Sequence, residues 1–540
     1  MKNTIQEIIK NALFEAKKAN NWPAFEIAEI IVDHPKNDAF GDYTTNVAMI
    51  LSKQLKKNPL EIANELKVES EKLKDSYIEK IEIAPPGHIN FYLSRKYLQD
   101  VVEKINSEKE KFGSNEIGSG VKINNEFISA NPTGPMHLGN GRGGFFGDSL
   151  SRVLRKAGFE VANEYYVNDA GEQVMKLGHS VLKDEEAVYG GEYIDKLNAE
   201  MADGKDVREV GEKAAEYILE NFIKKTAAEK MQISFDEWIS EKSLCDEGFV
   251  DRAIEILSKK GLTFEEEGAL WLRTTDFGDD KDRVLVKANG QKTYFASDCG
   301  YILNKVERGF TDLVETWGAD HHGYIVRFSA AAQALGVAPE RVRFNIVQLV
   351  RLMKDGKEVR MSKRAGNVVY IDDLIDELGH DVTRFFFLMY SPDTHMNFDM
   401  GLAAERSQKN PVFYVQYAHA RISSILEKAR EAGISNFQFP ISKQDVDLSL
   451  LQHERELNLI KELDKFPELV AEVSETYAVH KLPHYAISLA DKFHSFYDAC
   501  RVIDEENPEL TKARLSLVEA ARIVLAETLR LVGVDAPEKM

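Results

Sequence analysis

Apolar residues recur at helical spacing from Ile5 to Lys18, near and beyond Thr44, and from Asn58-Pro59 to Leu66. Between and after these runs, Ile27 to Val32, Ile78 to Ile83 and His88 to Leu93 have the apolar, β-branched character of strands. Asn37 to Tyr43 and Ala84-Pro85-Pro86-Gly87 read as turns. These elements predict an α+β domain over residues 1–112, ending where Gly and Ser become frequent between Lys111 and Gly120. The rhythm then changes to strand, helix, strand at Val121 to Ile128, Gly143 to Lys156 and Val161 to Val167. That order is a βαβ unit, and its first turn lies at the carboxyl end of a strand, where open parallel sheets bind ligands. Gln173 to about Gly261 is mostly helical and strongly charged, and is predicted to be an insertion. A hairpin-like pair follows at Leu270 to Arg273 and Arg283 to Lys287, then a helix around Ser297 to Arg308 and a strand from Leu313 to Trp317. A helix from Tyr324 to Ala334 and a strand from Phe344 to Leu349 complete the pattern. Beyond Phe398-Asp399 only long amphipathic helices remain, with breaks near Ser435 to Pro440 and at Asn507-Pro508. The prediction is an α/β multidomain protein with an N-terminal α+β domain at 1–112. A Rossmann-like, doubly wound parallel-sheet domain at 113–400 carries a helical insertion at about 173–261, and 401–540 forms an all-helical domain.

Composition is consistent with that division. A chain of 540 residues is too long for one ordinary core, and 43% apolar with 29% charged residues describes a folded protein. With 69 Lys and Arg against 89 Asp and Glu, the formal net charge is −20, which argues against loose, charge-driven adhesion to nucleic acid. An anionic partner must therefore meet local basic faces, for which Lys53, Lys56 and Lys57 and the Lys363-Arg364 pair are candidates. Cys245, Cys299 and Cys500 lie far apart, as expected in a reducing cytoplasm. No structural metal is expected, since His321-His322 has no third ligand at a recognisable spacing. Met1 to Asn20 lacks the apolar core of a signal peptide and no run reaches the length of a membrane span, so no membrane association is expected.

Two loops carry candidate chemistry. Ser129 to Asn140 reads Ser-Ala-Asn-Pro-Thr-Gly-Pro-Met-His-Leu-Gly-Asn: prolines fix the approach, glycines admit a ligand to the backbone, and His137 and Asn140 stand at the mouth of the next helix. Alone, this reads equally well as a Pro/Gly loop with a capping Asn. Glu358 to Asn367 sets Arg360, Lys363 and Arg364 beside Gly366, and alone such a run is a solvated face. Together the loops can bracket a polyphosphate, with His137 and the helix N-terminus on one side and Lys363 on the other.

The pair of loops resembles the two signatures of class I aminoacyl-tRNA synthetases, HIGH at His137-Leu138-Gly139-Asn140 and KMSKS at Arg360-Met361-Ser362-Lys363-Arg364. Ala130 to His137 and Asn410-Pro411-Val412-Phe413-Tyr414-Val415-Gln416-Tyr417-Ala418-His419-Ala420-Arg421 are similar to the arginyl-tRNA synthetase family in particular. Gly41 to Asn46, Gly87 to Phe91 and the closing Ala536 to Met540 extend the resemblance over nearly the whole chain. Three positions depart from the usual spelling. Asn140 replaces the last His, which removes a titratable proton but keeps a hydrogen-bond donor, while Arg360 and Arg364 replace Lys and Ser.

The resemblance implies ligation of L-arginine to its tRNA with ATP and Mg²⁺, through an arginyl-adenylate, by a monomer. It implies catalytic roles for His137, Asn140 and Lys363, and ATP contacts from Pro135, His137, Gly139, Asn140, Gly318, Asp320, Met361 and Lys363. The whole signature loop, Ala130, Asn131, Pro132, Thr133, Gly134, Pro135, Met136, His137, Leu138, Gly139 and Asn140, takes part. Arginine would be held by Glu126 and Asn131 at its α-amino end and by Tyr294 and Asp298 at its guanidinium, with the His321-His322 region, His322 in particular, closing the pocket. Tyr294 and Asp298 share a helix face at i, i+4 if they open a helix. Residues 1–112 and 401–540 would contact tRNA, the latter through the anticodon, with Tyr414, Gln416, Tyr417 and Arg421 as candidates and Phe496 to Val502 as a second surface. Two other readings stand beside this one: an enzyme that adenylylates another small acid without tRNA, and a synthetase-like RNA-binding protein that no longer catalyses.

Overall fold

Five parallel strands organise the molecule. Their spatial order is Val342–Val347, Asp312–Gly318, Lys122–Glu126, Glu160–Val167 and Glu237–Ser240, and every neighbouring pair is parallel. The chain starts in the middle and builds outward in both directions, so a crevice opens at the carboxyl ends of Lys122–Glu126 and Asp312–Gly318. The computed structural model describes residues 1–27, 29–201, 206–358, 369–432 and 446–540. Met361 and Lys363, with most of the second signature, and the break near Ser435 to Pro440 lie outside the described residues.

Helix Leu138–Lys156 shows why its sequence breaks the ordinary preference against glycine. A Cβ at Gly147 would lie 2.3 Å from the Phe127 ring, and one at Gly141 would lie 2.5 Å from Ile371 Cδ1. Close packing onto the sheet and onto the segment after the second signature requires bare backbone there. The face of the sheet covered by Tyr294–Glu307 and Ile325–Leu335 has its own apolar cluster, with Phe295, Ile302, Leu313 and Phe328 buried together.

The N-terminal sheet is antiparallel, in the order Tyr43–Thr45, His88–Leu93, Ile78–Ala84, and is covered by helices Lys2–Ala19, Val47–Leu55 and Pro59–Leu73. The strand expected at Ile27 to Val32 does not form; apart from residue 28, which is not described, the segment is irregular, and the only pairing nearby is the bridge from Asp33 to Thr44. Gln6 donates to the Ile30 carbonyl within it at 2.9 Å, and just before it Gln54 bonds both the N–H and the C=O of Glu26 at 3.0 and 2.8 Å. Helix Arg95–Glu108, capped by the Ser94 hydroxyl, was not anticipated; its Asn106 amide donates to Ser516 in the last helix.

The predicted insertion starts as expected with helices Glu172–Leu182, Glu192–Met201 and Val207–Ile218. Its end corrects the prediction, since Glu237–Ser240 rejoins the central sheet as an edge strand. The hairpin-like pair gains a third strand, Thr263–Glu266. The helical region comprises Pro411–Glu431, Glu454–Asp464, Phe466–Thr476, Lys481–Ala499 and Pro508–Val532. No helix among the described residues is long and apolar enough to cross a membrane.

Candidate active site

The crevice is a cleft of about 1070 Å³, lined from every element that meets at the switch in strand order. Glu126, which ends its strand, and Glu315, its partner within the adjacent strand, line it together with the loop Ile128 to Asn140. That loop leaves the strand through two residues at positive φ, Ile128 at 71° and Ser129 at 40°. For a β-branched residue this is strained, at roughly 1–3 kcal/mol, and persists only because neighbours fix it. Ser129 Oγ donates to Glu126 Oε1 at 2.9 Å and accepts from the Tyr166 N–H at 3.1 Å, while Tyr165 OH holds the Ala130 carbonyl at 2.9 Å.

His137 is the N-cap of Leu138–Lys156. Its Nδ1 accepts from the Gly139 N–H at 3.1 Å, and Asn140 Oδ1 accepts from the His137 N–H at 3.0 Å, a reciprocal capping box. The unusual Asn140 thus has a structural task that its amide oxygen fulfils, and it also lines the cleft. Shelter by the cleft walls lowers the pKa of His137, with Asp320 opposing, so the ring is neutral at physiological pH. The remaining N–H groups of the first turn point the positive end of the helix into the cleft.

The segment that follows the second signature, Val369 to Ile371, is tied to the first. His137 forms a bridge with Tyr370, the Leu138 N–H donates to the Val369 carbonyl at 3.3 Å, and the Ile371 N–H donates to the Met136 carbonyl at 3.0 Å. The chain therefore returns to His137 a few residues after Lys363.

Of the expected ligand contacts, Glu126, Asn131, Thr133, Gly134, Pro135, His137, Gly139, Asn140, Tyr294, Asp298, Gly318 and Asp320 all line the cleft. Pro132, Met136 and Leu138 are buried behind the loop and shape it from the core side. His322 is exposed and does not line the cleft; its neighbour His321 does. Tyr294 and Asp298 fall in the opening turn of Tyr294–Glu307, as the spacing required. Asp298 accepts from Tyr324 OH at 2.6 Å, and burial raises its pKa to about 7 against that hydrogen bond, with Glu241 adding to the rise.

Three lining residues escaped the sequence reading because they belong to the predicted insertion. Glu241 follows the edge strand; burial, with Asp169 adding, raises its pKa to about 7. Tyr189 and Tyr193 reach in from the helical part, and Tyr193 OH donates to the Thr133 carbonyl at 3.0 Å. The signal lay in Glu237-Trp238-Ile239-Ser240, a short apolar run after the helices that reads as a strand once a sheet edge is sought.

In the helical region Tyr414 OH donates to Asp491 at 2.6 Å, and Arg421 lies between Tyr417 OH at 2.7 Å, His494 Nδ1 at 3.3 Å and the Tyr497 ring at 5.1 Å. This half-buried aromatic and guanidinium cluster ends at the exposed Tyr497. Gln416 is engaged internally, donating to Asp381 at 2.7 Å and to the Asp535 carbonyl at 3.0 Å. On the N-terminal domain Lys53 and Lys56 are exposed, and Lys57 is paired with Glu65 at 2.6 Å.

A doubly wound parallel sheet whose cleft opens under a His-x-Gly-Asn helix start defines the catalytic core of a class I aminoacyl-tRNA synthetase. Residues 3–93 match the arginyl tRNA synthetase N terminal domain, 183–385 the tRNA synthetases class I (R) catalytic domain, and 415–540 the DALR anticodon binding domain. The arginine–tRNA ligase of Listeria welshimeri is 46% identical over 99% of this chain and 98% of its own, and that of Bacillus subtilis 44% identical over 100% and 99%. The solved arginyl-tRNA synthetase of Thermus thermophilus superimposes with a TM-score of 0.75 over the full length of both chains at 21% identity, a likeness of fold. The chain belongs to the arginyl-tRNA synthetase family, class I enzymes that use ATP.

Proposed function

We propose that this cleft joins L-arginine to ATP and then to tRNA(Arg). The observation that carries the reading is the convergence of Glu126, Asp298 and Glu241 on one cleft beside the signature helix. An amino acid with two cationic groups needs more than one carboxylate, and a guanidinium's rigid fork is best met by several acceptors together. Glu126 and Asn131 take the α-ammonium; Asp298, Glu241 and the Tyr294 hydroxyl take the guanidinium.

The amino acid's carboxylate oxygen attacks the α-phosphorus of ATP in line, a P–O bond forms to the carboxylate, and pyrophosphate leaves. The neutral His137, the Asn140 N–H beside the bare backbone of Gly139, and Lys363 with Met361 hold the phosphates, while Gly318 and Asp320 at the end of the adjacent strand take the ribose. No side-chain nucleophile is involved. A hydroxyl of the terminal tRNA ribose then attacks the activated carbonyl, an ester forms, and AMP departs. Mg²⁺ accompanies the phosphates; among the described residues no cluster of acidic, His or Cys side chains converges to hold a metal ion, and no step is assigned to it. The 1–112 domain, through the faces around Lys53 and Lys56, and the 401–540 domain, through Tyr414, Tyr417 and Arg421, grip the tRNA, and a monomer in the cytoplasm suffices.

Charging of total tRNA tests this. Arginine alone among the amino acids is expected to be esterified, with pyrophosphate exchange dependent on tRNA. Exchange that proceeds with another small acid and no tRNA acceptance, or tRNA binding without charging, would overturn it.

A further inference from the structure

Glu126 does not stand alone behind the cleft. Glu315 and Glu164 are its register partners on the strands to either side, so three carboxylates project from one face of the sheet in a row. All three are at most 5% exposed. Like charges packed this closely out of water repel strongly unless cations or protons intervene.

Helix Tyr294–Glu307 and the residue after it supply the compensation. Lys305, with no exposed surface at all, donates to Glu126 Oε2 and to Glu315 Oε1, each at 2.7 Å. Tyr301 OH lies 2.7 Å from Glu126 Oε2 and 2.6 Å from Glu164 Oε1, and Arg308 pairs with Glu164 at 2.5 Å. Three carboxylates meet two cations, so one proton remains to be placed. Burial, with the neighbouring Glu126 charge, raises the pKa of Glu315, which marks it as the holder. Burial alone would raise Glu126 too, but the charge of Lys305 and the hydrogen bonds from Lys305, Tyr301 and Ser129 outweigh it and the net shift is downward. Glu126 Oε2 is held from behind by Lys305 and by the Tyr301 hydroxyl, whose single proton is shared with Glu164, while Oε1 accepts from Ser129 on a side chain that lines the cleft.

We propose that Lys305, which never reaches the cleft surface, is the positioning residue of the α-ammonium subsite: it fixes Glu126 as an oriented carboxylate whose free acceptor binds the ammonium of arginine. The inference rests on the reading of Glu126 given above. It makes Lys305 act on one end of the amino acid only, which an indifferent structural lysine would not do.

The probe is 5-guanidinopentanoate, which is arginine without its α-amino group, compared with arginine itself by competition binding to the full-length enzyme. Wild type should prefer arginine, and Lys305→Met should weaken arginine by about 30-fold while leaving 5-guanidinopentanoate within about threefold. In a Glu126→Gln background, adding Lys305→Met should cost nothing further for either ligand. Retention of the wild-type preference by Lys305→Met, or parallel loss of both ligands, overturns the inference. Should Lys305→Met not fold, Glu126→Gln with and without Lys305→Met decides: equal arginine affinities support it and a further arginine-specific loss overturns it. A wild-type enzyme with no preference would instead overturn the assignment of Glu126 to the ammonium.

Discussion

The two acidic regions of the cleft solve opposite problems. Glu126 arrives already compensated, with Lys305 and Tyr301 bonded from behind and a net downward pKa shift. Among the described residues Asp298 and Glu241 have no such cation built against them; burial raises each to about 7, countered by Tyr324 OH on Asp298, a Ser297 bond on Glu241 and the more distant Arg327. The difference teaches where specificity resides. Every amino acid carries an α-ammonium, so a permanently prepared carboxylate there discriminates nothing. On the proposed assignment, a pair of buried acids is relieved by a ligand that brings its own cation, as the guanidinium of arginine does.

The comparison breaks most severely at Asp298. Asp298→Asn keeps the shape and removes the charge that the guanidinium relieves, so kcat/KM for arginine should fall about 10³-fold. The KM for ATP should stay within a few fold. A comparable loss for both substrates would mean that Asp298 organises the whole cleft and does not read the side chain.

A smaller effect separates the two regions by pH. With folded, ligand-free pKa values of about 7, Asp298 and Glu241 hold protons in part below neutrality, and those protons must leave before a guanidinium binds. Rising pH therefore ionises the pair in advance, and kcat/KM for arginine should increase about tenfold from pH 6 to pH 8 and then level off. Glu126, held well below that range, contributes no step. A profile that is flat in this window, or that falls, would show that the pair is already ionised in the free enzyme.

Much of the fold and many of the residues that line the cleft were legible beforehand, for reasons that differ by residue. The βαβ unit was plain because its elements alternate in period and its turn is spelled by Pro and Gly. Tyr294 and Asp298 became candidates through the family resemblance, and their i, i+4 spacing placed them on one helix face. Glu241 was not, because a four-residue edge strand at the end of a charged helical stretch has too little period to register. Ile27 to Val32 had the composition of a strand but pairs with no strand among the described residues, and Gln6 bonds the Ile30 carbonyl within it instead. Lys305 was invisible for a deeper reason: its partners lie 179 and 10 residues away in the chain, and only the register of three strands shows that their carboxylates form a row. Asn140 could be seen to depart from the family's spelling, whereas its bond to the His137 N–H needed coordinates.

The smallest predicted effect is the sharpest check on the prepared side. If Glu315 carries the proton that the row requires, then Gln, which is isosteric with the protonated acid, should replace it at little cost. Glu315→Gln should keep arginine affinity within about threefold of wild type, since the amide preserves an acceptor for Lys305 and leaves the charge of the row unchanged. Its thermal stability should likewise hold or rise, because the variant cannot ionise beside Glu126. A large loss of arginine affinity would mean that Glu315 works as a carboxylate and that the spare proton sits on Glu126 or Glu164. In that case the row would titrate when the ammonium binds, and the prepared end of the cleft would share the pH dependence expected only of Asp298 and Glu241.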